Sequence, residues 1–183
     1  MGTGRGRGLV AGTLAVVDLR ATQRPLKDRY REDAASARIT LSASGAQTDV
    51  PVSCSVDIGR AVYEAQAHPG VGGAGTGACS GDLLLGALAA CAQLTGQMVA
   101  TAMGIPVNDL RVHVEGDLDL RGTLGVDKDV GAGFETIRVR FEVDAPDATV
   151  EQLEALHEKT ERYCTVLQTL VQPHRIETQL VAR

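Results

Sequence analysis

Tryptophan is missing from this sequence, and aromatic residues make up only 3% of it. Proteins that stack bases or sugars need exposed aromatic rings, so the shortage argues against single-stranded nucleic acid or carbohydrate as a ligand. An excess of basic charge is missing too. The formal net charge is -5 over 183 residues, with no block of like sign. Phosphate backbones are held by clustered Lys and Arg, so no nucleic-acid partner is expected. Long hydrophobic runs are also lacking. The most continuous, Leu83 to Ala92, falls short of the roughly 18 to 20 residues of a spanning helix, so no membrane partner is expected. Arg5 and Arg7 ahead of Leu9 to Val17 imitate a leader peptide, but Gly12 and Thr13 interrupt the run and no small-x-small cleavage site precedes Asp18. The expectation is an unprocessed, cytoplasmic chain.

Cysteine is scarce and lacks metal-binding spacing. Cys54, Cys79, Cys91 and Cys164 form no CxxC pair, and no two Cys or His residues sit at zinc-ligand spacing. Neither a metal nor a cofactor is expected. Four cysteines could make two disulfides in a secreted domain, although a chain of this length does not need such staples to fold. The other readings are inert core thiols, since free Cys is among the most buried residue types, and redox chemistry.

Hydrophobic residues make up 44% and charged residues 22%, enough apolar surface for a core and too little charge for general disorder. Residues 1–33, Gly-rich and then densely charged from Leu19 to Asp33, read as an N-terminal arm. Residues 34–183 read as the domain. Within it Ile39, Leu41 and Ala43 alternate as a strand, Gly45 to Asp49 reads as a turn, and Val50 to Val56 alternate as a second strand, with Pro51 marking an edge or a strand start. Residues 59–67 fit a strand or a helical turn equally. A glycine-rich loop, His68 to Gly81, leads into an apolar helix over Asp82 to Met103, capped by Ser80 or Asp82 and ended by Gly104 and Pro106. A helix with almost no polar face belongs in a core or a subunit interface.

Two long alternating strands follow, Leu110 to Leu120 and Ile137 to Val143, joined across Gly122 to Gly133. One face is apolar and one charged, as in an antiparallel sheet with one face on a core. Thr149 caps a second amphipathic helix, stopped by Pro173, with Cys164 on its apolar face. Ile176, Thr178 and Leu180 suggest a last strand. The order predicts an α+β domain with antiparallel sheets packed around two central helices.

Several motifs have plain readings. Gly70 to Gly75 spells GxGxxG but has no acid twenty residues on, so it reads as a loop. His68, His113, His157 and His174 form no pair and read as surface residues. Ser80 lacks the strand–turn–helix setting of a nucleophile elbow. Glu115, Asp117 and Asp119 line one strand face, where they could hold a divalent cation or simply face water.

The cysteines lie in more informative surroundings. Ser80-Gly-Asp-Leu-Leu-Leu-Gly-Ala-Leu-Ala-Ala-Cys91 resembles the helix signature of the OsmC/Ohr family. Glu161-Arg-Tyr-Cys164-Thr-Val-Leu is similar to that family's second signature. Val114 to Leu120 and Gly133 to Phe141 are similar to its strand pair. The resemblance runs from about Ala37 to Leu180.

It implies an intertwined homodimer with sites at the subunit interface, acting as a thiol peroxidase. By position Cys91 matches the thiol that attacks the peroxide and Cys164 the resolving one. A dithiol reductant, lipoyl or thioredoxin-like, would reset the disulfide. Family peroxidases use an arginine held by an acid near the start of the first helix. Asp82 stands near the place of that acid, and Arg29, Arg31, Arg38 and Arg60 are candidates for the arginine. Thr165 stands where proline is frequent. Cys54 and Cys79 have no family counterpart, and Cys79 is an alternative disulfide partner. Leu84, Leu88, Leu94, Thr95 and Met98 around Cys91 suggest organic hydroperoxides rather than hydrogen peroxide. The alternative is a family-fold protein with inert thiols that binds a small molecule.

Overall fold

The computed structural model describes residues 19–38, 40, 44–47, 53–58 and 61–182. The chain divides into two units, Met1–Ile39 and Thr40–Arg183. In the first, α1 spans Leu19–Glu32 and a 3₁₀ turn follows over Ala34–Ala37, capped by the Asp33 carboxylate, which accepts from the Ala35 N–H at 2.9 Å. The charged stretch expected to be an exposed segment is thus helical. Its periodic Arg and Lys residues suit an exposed helix, although Pro25 within it supplies no N–H.

The second unit has two antiparallel sheets. β1 (Ser44–Gln47), β2 (Ser53–Asp57) and β3 (Val62–Gln66) lie in that order. β3 resolves the ambiguous stretch at 59–67 as a strand. The turn expected over Gly45 to Asp49 is corrected, since Gly45, Ala46 and Gln47 belong to β1 and pair with β2; residues 48–49, Val50 and Val52, and Ile39, Leu41 and Ala43 lie outside the described residues. The second sheet is a hairpin of β4 (Asp109–Leu118) and β5 (Phe134–Asp144), paired Leu110↔Val143 through Gly116↔Ile137. Between them sits a one-turn helix, α3 (Leu120–Thr123).

The hairpin alternation works as its sequence requires. Leu110, Val112 and Val114 share a face with Val139, Phe141 and Val143, while Arg138 opposes Glu115 on the other face. The expected row of three carboxylates is shortened to two: Asp117 and Glu115 on that outer face pair with Arg138, whereas Asp119 lies past the strand as the N-cap of α3 and pairs with Arg121. Arg138 draws the Asp117 carboxyl below its usual range, first by hydrogen bonding. Among the described residues no group of three His, Cys, Asp or Glu side chains could hold a metal.

α2 (Ser80–Met103) runs between this hairpin and the later helices. Its length and mean hydropathy of 1.6 are those of a spanning segment. One side of it, however, is buried at Leu88, Ala92, Thr95, Gly96, Val99 and Ala100, as in the core helix of an α+β domain. Gly104, at φ 70°, gives the left-handed C-cap that ends it. Val99, Ala100, Ile105, Ala145 and Leu156 make one core cluster, and Leu88, Ala92 and Cys164 make another.

Two further expectations are corrected. The second helix is not continuous: α4 (Val150–Tyr163) stops at Cys164, and α5 (Thr165–Val171) starts after it. Residues 173–182 form no strand, and Ile176 and Leu180 are 84% and 95% exposed. Alternation makes a strand only where a sheet edge is available to pair with it, and no described strand of this chain offers one there.

Gly96 lies where α2 crosses β4 and faces α4. A Cβ there would come within 2.6 Å of Leu110 Cδ2 and 3.7 Å of Thr160 Cγ2. Gly96→Val is therefore expected to force Leu110 to repack against α2 and to cost about 1–3 kcal/mol. Thermal unfolding would show it as a clear fall in Tm, and an unchanged Tm would contradict the crossing.

Candidate active site

Cys91 and Cys164 pack together, one on α2 and the other at the break between α4 and α5. Cys91 is half-buried on α2, at the margin between the buried face and the open face. Cys164 is fully buried at the α4–α5 break. The break builds the site. Cys164 has extended backbone angles (φ -72°, ψ 104°) between two helices. Its N–H donates to the Thr160 carbonyl at 2.9 Å and completes α4. Its carbonyl accepts from the Gln168 N–H at 2.9 Å and begins α5. Gln168 Nε2 also reaches back to the Glu161 carbonyl at 3.0 Å, holding the two helices across the break. The first N–H groups of α5 have no helical partner and point to where a sulfur sits.

The two thiols are unlike. Burial pushes the Cys91 thiol up, but hydrogen bonds from the Val166 N–H, the Cys164 thiol, the Thr95 hydroxyl and the Thr165 N–H outweigh it, and Cys91 lies below the ordinary thiol range. For Cys164 burial again raises the value. The Leu167 and Val166 N–H groups lower it, but its donation to Cys91 and the neighbouring negative charge raise it further, so the net direction is up. The arrangement therefore favours a thiolate at Cys91 beside a protonated thiol at Cys164.

Asp82 is placed elsewhere. It is the N3 residue of α2, and its carboxylate accepts from the Cys79 N–H at 2.8 Å. That bond first, then one from the Cys79 thiol, holds the Asp82 carboxyl below its usual range. The cap is Cys79 rather than Ser80 or Asp82: the helix begins at Ser80, two residues earlier than expected, and Asp82 reaches back to Cys79 as the N3 residue. Nine residues separate Asp82 from Cys91 along an unbroken helix, which is about 13 Å of rise and roughly half a turn in facing. Cys79 is twelve residues from Cys91, or about 18 Å along the axis. Since a disulfide needs Cα atoms within about 7 Å, Cys79 is no partner for Cys91 in the same chain. Cys79, Cys91 and Cys164 are all free thiols. The Cys54 side chain and Arg60 lie outside the described residues, and Arg29, Arg31 and Arg38 belong to the first unit.

The histidines occupy other places. His68 Nδ1 accepts from the Gly70 N–H at 3.0 Å, His113 faces Glu142, and His157 sits edge-on to Phe141. The GxGxxG string does follow a strand, β3, but it forms a 3₁₀ turn over Pro69–Val71, and α2 opens only at Ser80. A separate cavity of about 860 Å³ lies at the start of α2, lined by Leu84, Leu118, Leu120 and Phe134 with His68 and Cys79.

Sequence reasoning missed the donors around Cys91: the Thr165 and Val166 N–H groups and the Thr95 hydroxyl. Proline at position 165 would have signalled a helix restart, because proline suits the first helical position. Threonine there gives no such signal, but it keeps an N–H for the thiolate.

The model of the family described as OsmC-like protein matches residues 73–179. Solved structures share the fold. An OsmC-like protein from Mycoplasma pneumoniae is 20% identical, with a TM-score of 0.62 over 73% of this chain and 88% of its own. An organic hydroperoxide resistance protein from Elizabethkingia anophelis, with thiocyanate bound, is 20% identical, with a TM-score of 0.54 over 72% and 88%. A further organic hydroperoxide resistance protein, OsmC from Legionella pneumophila, is 17% identical, with a TM-score of 0.57 over 72% and 89%. A search of curated proteins found no match.

Proposed function

The chain belongs to the OsmC-like protein family, and from that premise we propose that it is a thiol peroxidase that reduces organic hydroperoxides through Cys91 and Cys164. The observation that supports this reading is the asymmetry of the pair, an exposed-side thiol held toward its anion beside a buried, protonated one. The Cys91 thiolate attacks the outer peroxide oxygen. The O–O bond breaks, the alkoxide leaves and takes a proton as the alcohol, and Cys91 becomes a sulfenic acid. The Cys164 sulfur then displaces that oxygen as water, forming the disulfide. A dithiol, lipoyl or thioredoxin-like, returns both thiols and is itself oxidised. Two thiols and one peroxide thus give a disulfide, an alcohol and water. Such a cycle suits a compartment with reduced thiols, and we place it in the cytoplasm.

The working unit is a homodimer. α2 leaves Ala87, Ala90, Leu94 and Met98 open along one side, with Leu94 59% exposed. A second copy would cover that stripe and wall the site beside Cys91. The family resemblance implies that the acid near the start of α2 steadies an arginine. Asp82, occupied with its cap in this chain, is assigned that role only through such an assembly.

The experiment is hydroperoxide loss with a dithiol present, comparing an alkyl hydroperoxide with hydrogen peroxide. Faster loss of the alkyl substrate is expected, and equal rates would remove the substrate preference. No turnover above the reductant's background, with several peroxides and dithiols, would remove the enzyme. The cavity at the start of α2 favours a second reading, a non-catalytic binder of a small apolar molecule. Inert thiols together with a ligand that co-purifies would favour it.

A further inference from the structure

Thr95 behaves unlike the other helical threonines around it. Thr101, Thr160 and Thr169 each donate their hydroxyl to the carbonyl four residues back, at 2.9, 2.7 and 2.8 Å. That back-bond is the ordinary resting place of a threonine hydroxyl inside a helix. Thr95 makes no such bond among the described residues. It is only 4% exposed and so shielded from bulk water, and an unpaired buried hydroxyl is costly. The side chain one turn earlier on α2 is Cys91, and the Thr95 hydroxyl is among the groups that lower that thiol.

We propose that Thr95 is a catalytic residue of this site: its hydroxyl donates to the Cys91 sulfur and holds it in the reactive, ionised form. The inference rests on Cys91 being the reacting thiol. Among the described residues the groups around the sulfur are neutral. Cys164 is the titratable group beside it, and the side chains clustered about the pair from the hairpin and α5, including Val112, Val139, Phe141, Val166 and Leu167, are apolar. Among the described residues of the second unit, Arg111, Arg121, Arg138, Arg140 and Arg175 pair with carboxylates, and Arg162 lies over Tyr163. In so apolar a setting one hydroxyl has a large effect, because a hydrogen bond to an ion gains strength as the dielectric falls.

The test uses Cys164→Ser as parent, so that one thiol of the pair is read, with alkylation of the position-91 thiol followed against pH and each labelled site identified by peptide mass. Thr95→Val keeps the shape and removes the donor. It is expected to move the pH profile upward and to slow alkylation at neutral pH by about tenfold. Thr95→Ser should restore the parent profile. A Thr95→Val profile that coincides with the parent overturns the proposal, and so does a Thr95→Ser rate as slow as that of Thr95→Val. If Thr95→Val does not fold, Thr95→Ala is read in its place by the same criteria. Alkylation needs no peroxide, so a protein that fails to turn over peroxide while its Thr95 variants shift the profile loses the peroxidase reading and keeps the donor.

Discussion

Cys91→Ser abolishes peroxide turnover, with an expected loss of about a thousandfold or more, because a serine hydroxyl has neither the acidity nor the nucleophilicity of a thiol. The hydrogen bonds that hold the sulfur cannot rescue it, since they act by favouring an anion that serine does not form near neutral pH. Cys164→Ser has a different outcome. The first step survives, so one equivalent of peroxide is consumed, but no disulfide can form, and sulfenic acid stays on Cys91 until another thiol removes it. A carbon-acid trap and mass analysis would find the adduct on Cys91. The pH dependence has a definite sign. Cys91 lies below the ordinary thiol range, so its reaction with peroxide keeps its rate as pH falls through that range and declines only when pH passes the depressed value. Cys164 lies above it, so it stays protonated while Cys91 is ionised. A Cys91→Ser protein that retains turnover, or a wild-type profile rising only where a free thiol ionises, would remove the role given to Cys91.

The fold was legible where one residue pattern has one structural meaning. The two-residue alternation from Leu110 and from Ile137 can only serve a half-buried hairpin, and the structure has it. The apolar run ended by Gly104 and Pro106 fixed α2 within a few residues. The α4–α5 break was not legible, because Val150 to Leu167 keeps its helical period straight through Cys164. Only the backbone angles of that residue interrupt it. Ile176 to Leu180 failed for the opposite reason: the period was right, but a strand also needs a partner edge. Cys91 and Cys164 were singled out through their family-like surroundings, since two cysteines in two helices carry no distance by themselves. The donors were not legible, as backbone N–H groups have no sequence signature.

Leu94→Asp is the other large expected effect, and it separates a partnered surface from an open one. Leu94 is 59% exposed in the single chain. If that state were the working one, aspartate there would be an ordinary surface substitution, changing stability by no more than about 0.5 kcal/mol. The face around it argues otherwise. Ala87, Ala90 and Met98 are exposed with it at three- and four-residue steps along α2, opposite the buried stripe that meets the hairpin and α4. An amphipathic helix needs one apolar stripe to join a core, whereas this one has two. The small side chains between Leu94 and the helix start allow the close approach of another helix. Burying a carboxylate against a second copy would desolvate it without a partner. The dimer dissociation constant should therefore rise by two to three orders of magnitude, roughly 3–4 kcal/mol. Sedimentation at micromolar concentration would show the wild type as a dimer and Leu94→Asp as a folded monomer. A wild type that sediments as a monomer, or a variant that still dimerises with unchanged affinity, would place the partner surface elsewhere. Turnover of the monomeric variant then reports on the site itself: a loss with both thiols intact would mean that the second copy completes the surroundings of Cys91.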